Sequence, residues 1–271
     1  MANALPKRAS SEAIRIINRA ITDRRALAEI EKEKLMRLMS SMMRENPDSV
    51  ELNTISACYY ALVSDIHNLL ISTEKVMADL DCGKIGYGYF TENALTALGN
   101  ALMIKEVYKY MKKYKFPLND MGIHIAELFM STSMFMLDFK VFNELKESFG
   151  AKLNKADKIN KMDDFYHFLL KNDKNSINFS SYICDVFDVI SREISRKAVI
   201  NYSLPPISEY DFELHNDDGY EFINFSFTFP IESDLDIVLA LEDEMLLAIS
   251  KLNYSSEVKT KISFDFSVGE E

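Results

Sequence analysis

Nine positions between Leu52 and Leu80 follow an unbroken three-four spacing: Leu52, Ile55, Tyr59, Leu62, Ile66, Leu69, Thr73, Val76 and Leu80. All but Thr73 are large and apolar. At about 3.6 residues per turn this draws one apolar stripe along a single rod, which has to be buried against other helices. The spacing constrains architecture and carries no chemistry.

The same reading predicts four long helices. Ser10 or Ser11 caps a first helix running to about Arg44, and Asn46-Pro47-Asp48 stops it. Asp48 caps a second, with Glu51 three residues on in a capping-box arrangement, and Gly83 ends it as a C′ residue. Thr91 caps a third helix to about Lys115. Pro117-Leu118-Asn119-Asp120 turns the chain, and Asp120 caps a fourth to about Phe149, lined by Ile123, Met130, Met134, Leu137, Val141 and Leu145. Two shorter helices are expected near 157–171 and 178–199. Rods of this length with short connections favour an antiparallel bundle. An offset of 34 residues, the tetratricopeptide period, superposes Val107, Tyr108 and Met111 on Val141, Phe142 and Leu145. The match fails at Phe116, which falls on Gly150. Neither segment shows a break into two short helices, so a repeat array is not expected.

The period changes after Leu204-Pro205-Pro206. Tyr210, Phe212 and Leu214 alternate with acids, Asn216-Asp217-Asp218-Gly219 reads as a turn, and Tyr220 to Phe229 reads as the returning strand. The phase slips at Phe222-Ile223, where a bulge would fit. Ser233 caps a helix to about Leu252 that carries Leu235, Val238, Leu241, Met245 and Ile249 on its apolar side. Val258 to Val268 reads as a last strand. The expected class is α+β: a bundle of four long and two shorter helices over 1–203, then a small antiparallel ββαβ module over 207–271.

Charge divides the chain at the same place. The whole carries −11, yet residues 208–271 hold 16 acids and 3 bases, and the rest is close to balance. Phosphates would be repelled by the C-terminal part. A hydrophobic fraction of 48% with 27% charged residues is that of a soluble protein. No apolar run approaches the ~18 residues of a membrane span, and MANALPKRASSEAIRI has no apolar signal-peptide core. Three cysteines without CxxC spacing argue against a disulfide framework or a zinc site. A cytoplasmic location away from membranes is the expectation.

Catalytic signatures are missing: no Gly-x-Ser-x-Gly, no glycine-rich phosphate loop with lysine, no His-Glu-x-x-His. His124 with Glu127, and Asp164 with His167, do not supply the two Glu-x-x-His units of a di-iron bundle. No catalytic, cofactor-binding or metal-ligating residue is assigned. Three clusters remain. Asp234, Asp236, Glu242, Asp243 and Glu244 crowd the C-terminal helix, where carboxylates of a metal-dependent hydrolase or nuclease would be sought; helix-dipole complementarity is the simpler role for the first two. Arg15 and Arg19, and Lys109, Lys112 and Lys113 interleaved with tyrosines, form a basic patch that could track a nucleic acid, though solvated helix faces explain it. Met36, Met39 and Met43 recur at i, i+3 and i+7, as in a core or an adaptable groove. The reading these support is a non-enzymatic adaptor or accessory subunit. Its scaffold is the bundle, its partner surface comprises the methionines and the C-terminal acids, and it engages a protein partner or another copy of itself.

Overall fold

Each long rod is folded in half. A computed structural model describes residues 5–114, 116, 121–152, 156–200, 207 and 209–269, with backbone alone at 5–8, 156–158, 173–176 and 199–200. The first predicted helix is two: α1 (Leu5–Thr22) and α2 (Glu29–Glu45). The second is α3 (Val50–Leu62) and α4 (Ile66–Asp81), the third α5 (Tyr89–Asn100) and α6 (Ile104–Lys113), the fourth α7 (Ile123–Phe135) and α8 (Phe139–Phe149). Then come α9 (Ala156–Lys171) and α10 (Asp173–Ile200), strands β1 (Glu209–Asp217) and β2 (Tyr220–Phe229), α11 (Leu235–Ser250), the short α12 (Ser256–Thr260) and β3 (Ile262–Val268). The expected Asp120 cap and the Leu204-Pro205-Pro206 boundary lie outside the described residues.

One device makes the breaks. Arg24, Ser64, Leu102 and Leu137 have left-handed backbones, with φ of 48°, 56°, 60° and 56°. In each case the left-handed residue donates its N–H to the carbonyl three residues back, and the next residue donates to the carbonyl five residues back. Ser64 bonds Ala61 at 3.2 Å and Asp65 bonds Tyr60 at 2.9 Å; Leu102 and Met103 repeat this on Gly99 and Leu98, and Leu137 and Asp138 on Met134 and Ser133. This is the Schellman closure, in which otherwise orphaned terminal carbonyls are satisfied. Gly83 makes the same pair of bonds with φ 70° and ends α4, as its sequence position suggests. At the four non-glycine sites no residue announces the turn.

The following helix starts at once. Asp65 caps α4 by accepting from the Asn68 N–H at 3.1 Å, and Asp138 caps α8 by accepting from the Val141 N–H at 3.4 Å. Other caps move by a residue or more. Ser49, not Asp48, caps α3; Gly88 precedes α5, with Thr91 Oγ1 accepting from its N–H at 3.0 Å; Asp234, not Ser233, caps α11. Aligning Leu102 with Leu137 superposes Val107, Tyr110 and Tyr114 on Phe142, Leu145 and Phe149, one residue out of step with the 34-residue offset. The chain does repeat a helical hairpin, contrary to the sequence expectation, at uneven spacing.

The 52–80 stripe stays inside but divides. Leu52, Ile55 and Tyr59 enter a small core with Ile16, Ile17, Leu27, Leu35, Met39 and Met42 of the first hairpin and its turn. Leu69 enters the main core, which runs from α3 to β3 without interruption. At its centre sits Phe135, the last residue of α7. Its ring lies 5.7 Å from Phe165, 5.6 Å from Phe187, 5.9 Å from Phe212 and 5.9 Å from Phe225. One side chain thus joins α7, α9, α10, β1 and β2. Ser180 Oγ donates to the Phe135 carbonyl at 2.5 Å, satisfying it where the helix ends. The sheet therefore packs into the same core as the helices.

The strands lie in the order β1-β2-β3. Asp218 and Gly219 both have positive φ, 51° and 88°, the requirement of a two-residue I′ hairpin loop, and Asn216 Oδ1 accepts from the Gly219 N–H at 3.0 Å. Pairing runs unbroken from Glu209 with Thr228 to Asp217 with Tyr220, so the expected bulge is absent. Ile223 turns inward and Phe222 outward, stacked on His215 at 5.0 Å. β3 pairs parallel to β2, not antiparallel as expected. The intervening α11 returns the chain to the end where β2 began, so the last strand runs the same way. Residues 258–260, expected as strand, belong to α12. The inner sheet face is Ile223, Phe225, Phe227 and Phe229 with Phe212, Ile262 and Phe266; polar residues such as Asn224, Ser226 and Asp265 hold the other.

Two substitutions test this construction. Ser64→Gly removes a left-handed strain of order 1 kcal/mol and should raise Tm by a few degrees, whereas Ser64→Val should lower it. Phe135→Ala should cost about 3–5 kcal/mol, read as a loss of stability to chemical denaturation, and should expose helices and sheet together.

Candidate interaction surface

The C-terminal helix α11 carries more leucine than its packing uses. Val238, Leu241, Met245 and Ile249 are buried on α10 and β3. Leu235, Leu239, Leu246 and Leu247 are 56%, 48%, 38% and 58% exposed, and Ile231 just before the helix is exposed as well. At 100° per residue, Leu235, Leu239 and Leu246 form one exposed strip, with Glu242 on its edge toward the buried side and Asp236 and Asp243 along its other flank. Leu235 was expected on the buried side; the helix begins at Leu235 and turns it to solvent. A sequence signal was available, since a helix apolar on every side must be either enclosed or docked.

The predicted acids separate by role. Asp234 Oδ1 accepts from the Asp236 N–H at 3.0 Å as the helix cap. Burial, with Asp243 and Asp265 nearby, pushes the Glu242 carboxyl up from the usual range. Glu244 faces α10 and accepts from Arg196 at 2.7 Å and Lys197 at 2.6 Å. Other tail acids do likewise. Glu209 pairs with Arg24 at 2.5 Å, Glu221 with Lys171 at 2.7 Å, and Asp211 and Glu213 both with Lys161. The surplus negative charge of the tail is thus partly answered by bases of the helical part, while Asp236 and Asp243 stay outward.

The predicted basic patch is paired throughout. Arg15 lies 3.8 Å from Glu12, Arg19 3.5 Å from Asp23, and Lys109 3.0 Å from Glu106. Lys112 reaches Asp138 at 3.0 Å and sits over the Tyr108 ring; Lys113 reaches Asp81 and sits over Tyr114. Basic-aromatic interleaving here joins α6 to α4 and α8. The methionines divide as well. Met39 is buried in the small core with Met42, while Met36 and Met43 are 50% and 58% exposed on the outer face of α2, beside the exposed Arg37 and Arg44. Within one chain the methionine face and the acidic leucine face lie on different elements: α2 packs on α1 and α3, and α11 on α10 and β3.

A cavity of about 270 Å³ opens where α1, α3, α5 and β1 meet, lined by Arg24, Arg25, Cys58, Asn93, Asn100 and Glu209 among others. Its charges are balanced: Arg24 holds Glu209, and Arg25 grips Glu31 at 2.7 and 2.8 Å. Burial pushes the Cys58 thiol up to about 12, which suppresses the thiolate a nucleophile needs. Among the described residues, no group of three or more His, Cys, Asp or Glu is placed to hold a metal ion, and no helix is long and apolar enough to cross a membrane. The chain matches no family model, no curated protein and no solved structure.

A buried-edge ion cluster ties the tail to the helices and sets a pH response. Lys105 of α6 donates to Asp185 at 2.7 Å and Asp188 at 2.6 Å on α10, and the Tyr254 hydroxyl donates to Asp185 at 2.6 Å. Burial alone would raise the Asp185 carboxyl; the hydrogen bonds from Lys105 and Tyr254 outweigh it and hold it low. Burial likewise opposes Lys112 and Tyr108 at Asp138, and again the net direction is down. A carboxylate lowered on folding stabilises fully above its unfolded value of about 3.9, and the benefit is lost as pH falls through the lower folded one. Asp185→Asn should therefore flatten the acid side of a Tm-against-pH curve below about pH 5. An acid limb as steep as that of the unaltered chain would rule the assignment out.

Proposed function

We propose that this chain is a non-enzymatic interaction protein, an adaptor or accessory subunit of a larger assembly. Its helical hairpins, laid against one another as an antiparallel bundle, form the scaffold. The C-terminal ββαβ segment presents the partner-binding face, and the partner is another protein or a further copy of the chain in the cytoplasm. The observation that carries this reading is the outward strip of α11. Three exposed leucines on one strip of the helix, with Leu247 and Ile231 exposed nearby, make a concentration of apolar surface that water penalises and a partner would cover. The acids on either side of it, Asp236, Glu242 and Asp243, supply orientation more than affinity. The bases that would favour a nucleic acid are engaged with neighbouring carboxylates, which weighs against that alternative. The carboxylates a metal-dependent hydrolase would need are divided between a helix cap, an ion pair to α10 and solvent.

Affinity capture from native lysate with the unaltered chain and with Leu239→Glu/Leu246→Glu tests the reading. The unaltered chain should retain a protein, itself included, that the variant loses, while both melt within a few degrees of each other. Failure of the unaltered chain to retain anything would overturn it.

A further inference from the structure

The outward face of α11 has a counterpart on the same molecule. Resting on the interaction reading above, we propose that α11 of one copy docks on the outer face of α2 of a second copy, antiparallel, so that copies associate head to tail. Both faces are open in the single chain: Met36, Arg37, Met43 and Arg44 on α2, Asp236, Leu239, Asp243 and Leu246 on α11.

The spacings match. Met36 and Met43 are seven residues apart, as are Leu239 and Leu246, which sets each apolar pair about 10.5 Å apart along its axis. Arg37 and Arg44 keep the same interval, and so do Asp236 and Asp243. The angular order matches as well. On α2 the arginine row lies about 100° beyond the methionine row; on α11 the aspartate row lies about 60° beyond the leucine row, in the same sense. Two facing helices whose charged rows are offset in the same sense bring those rows together only when they run antiparallel. In that register Met36 meets Leu246, Met43 meets Leu239, Arg37 meets Asp243 and Arg44 meets Asp236. Arg37 contacts Glu33 at 2.9 Å through one terminal nitrogen, leaving further donors of its guanidinium for a partner's carboxylate. Methionine against leucine makes an adaptable apolar seam.

Charge selects this pairing over the symmetric ones. Two α11 faces would set Asp236, Glu242 and Asp243 against their own copies, and two α2 faces would oppose arginines; like charges in contact are a penalty that α2 on α11 avoids. Because the two faces differ, the contact is heterologous and builds an open chain or a closed ring instead of stopping at a two-fold dimer.

Light scattering on the purified full chain, from ~1 to ~200 µM at low salt, tests this. The mass should rise from that of a single 31.1 kDa chain to at least about twice that value, and should fall back at ~500 mM salt as the charged rows are screened. Arg37→Glu/Arg44→Glu and Asp236→Arg/Asp243→Arg should each remain monomeric. An equimolar mixture of the two should recover the mass, because each then offers the face the other needs; recovery also shows that both variants are folded. A monomer at every concentration overturns the proposal, even where a different protein is captured from lysate and the broader reading stands. Association that survives both charge reversals overturns it equally.

Discussion

A helix ends when its last carbonyls find donors, and at the breaks in this chain the donors are a residue held in the left-handed region and the residue after it. Ser64, Leu102 and Leu137 each accept that conformation in the middle of a sequence that otherwise reads as continuous helix. The break at each point divides one rod into two helices that pack on each other. Leu52 and Leu69 end in different cores, and α3 itself contributes to both, Leu52 to the small one and Ala57 and Ala61 to the main one. Phe135 reaches the centre of the molecule because the chain turns directly after it. The strain at each turn, of order 1 kcal/mol, is offset by two satisfied carbonyls and by burial of the side chain at Leu102.

That device explains what the sequence could and could not convey. Apolar periodicity records which residues turn inward, and six of the nine positions of the 52–80 stripe are buried while Leu62, Ile66 and Leu80 are half-buried; periodicity does not record a break that keeps the same phase on both sides. Glycine is the usual marker of a left-handed cap, and only Gly83 offered it. The surviving clues were the aspartates directly after Ser64 and Leu137, Asp65 and Asp138, which cap the following helices. The mostly helical body and the small C-terminal sheet were legible from the change of period. The parallel pairing of β3 was not, since local alternation is the same for either direction. In the candidate surface, Met36 and Met43 were readable as exposed or buried only once their partner helices were known, and the outward leucines of α11 were hidden within a helix apolar all round.

Electrostatics divides similarly between what is internal and what faces outward. Arg24, Lys161, Lys171, Arg196 and Lys197 each meet a carboxylate of the C-terminal part, and Lys105 gathers two carboxylates on α10 with Tyr254 closing the cluster. Exposed pairs of this kind contribute little each. Their placement still fixes how the tail sits, and it leaves Asp236 and Asp243 beside uncovered leucines.

The ring cluster around Phe135 carries an implication for how the polypeptide is made. Phe135, Phe165 and Phe187 are synthesised before Phe212 and Phe225, and β3 can add to the sheet only after α11 has crossed back. During translation the aromatic centre therefore stays unfinished until β1 and β2 have been made. Until then Phe135, Phe165 and Phe187 lack the sheet that covers them, and apolar surface exposed in a partly made chain is prone to association.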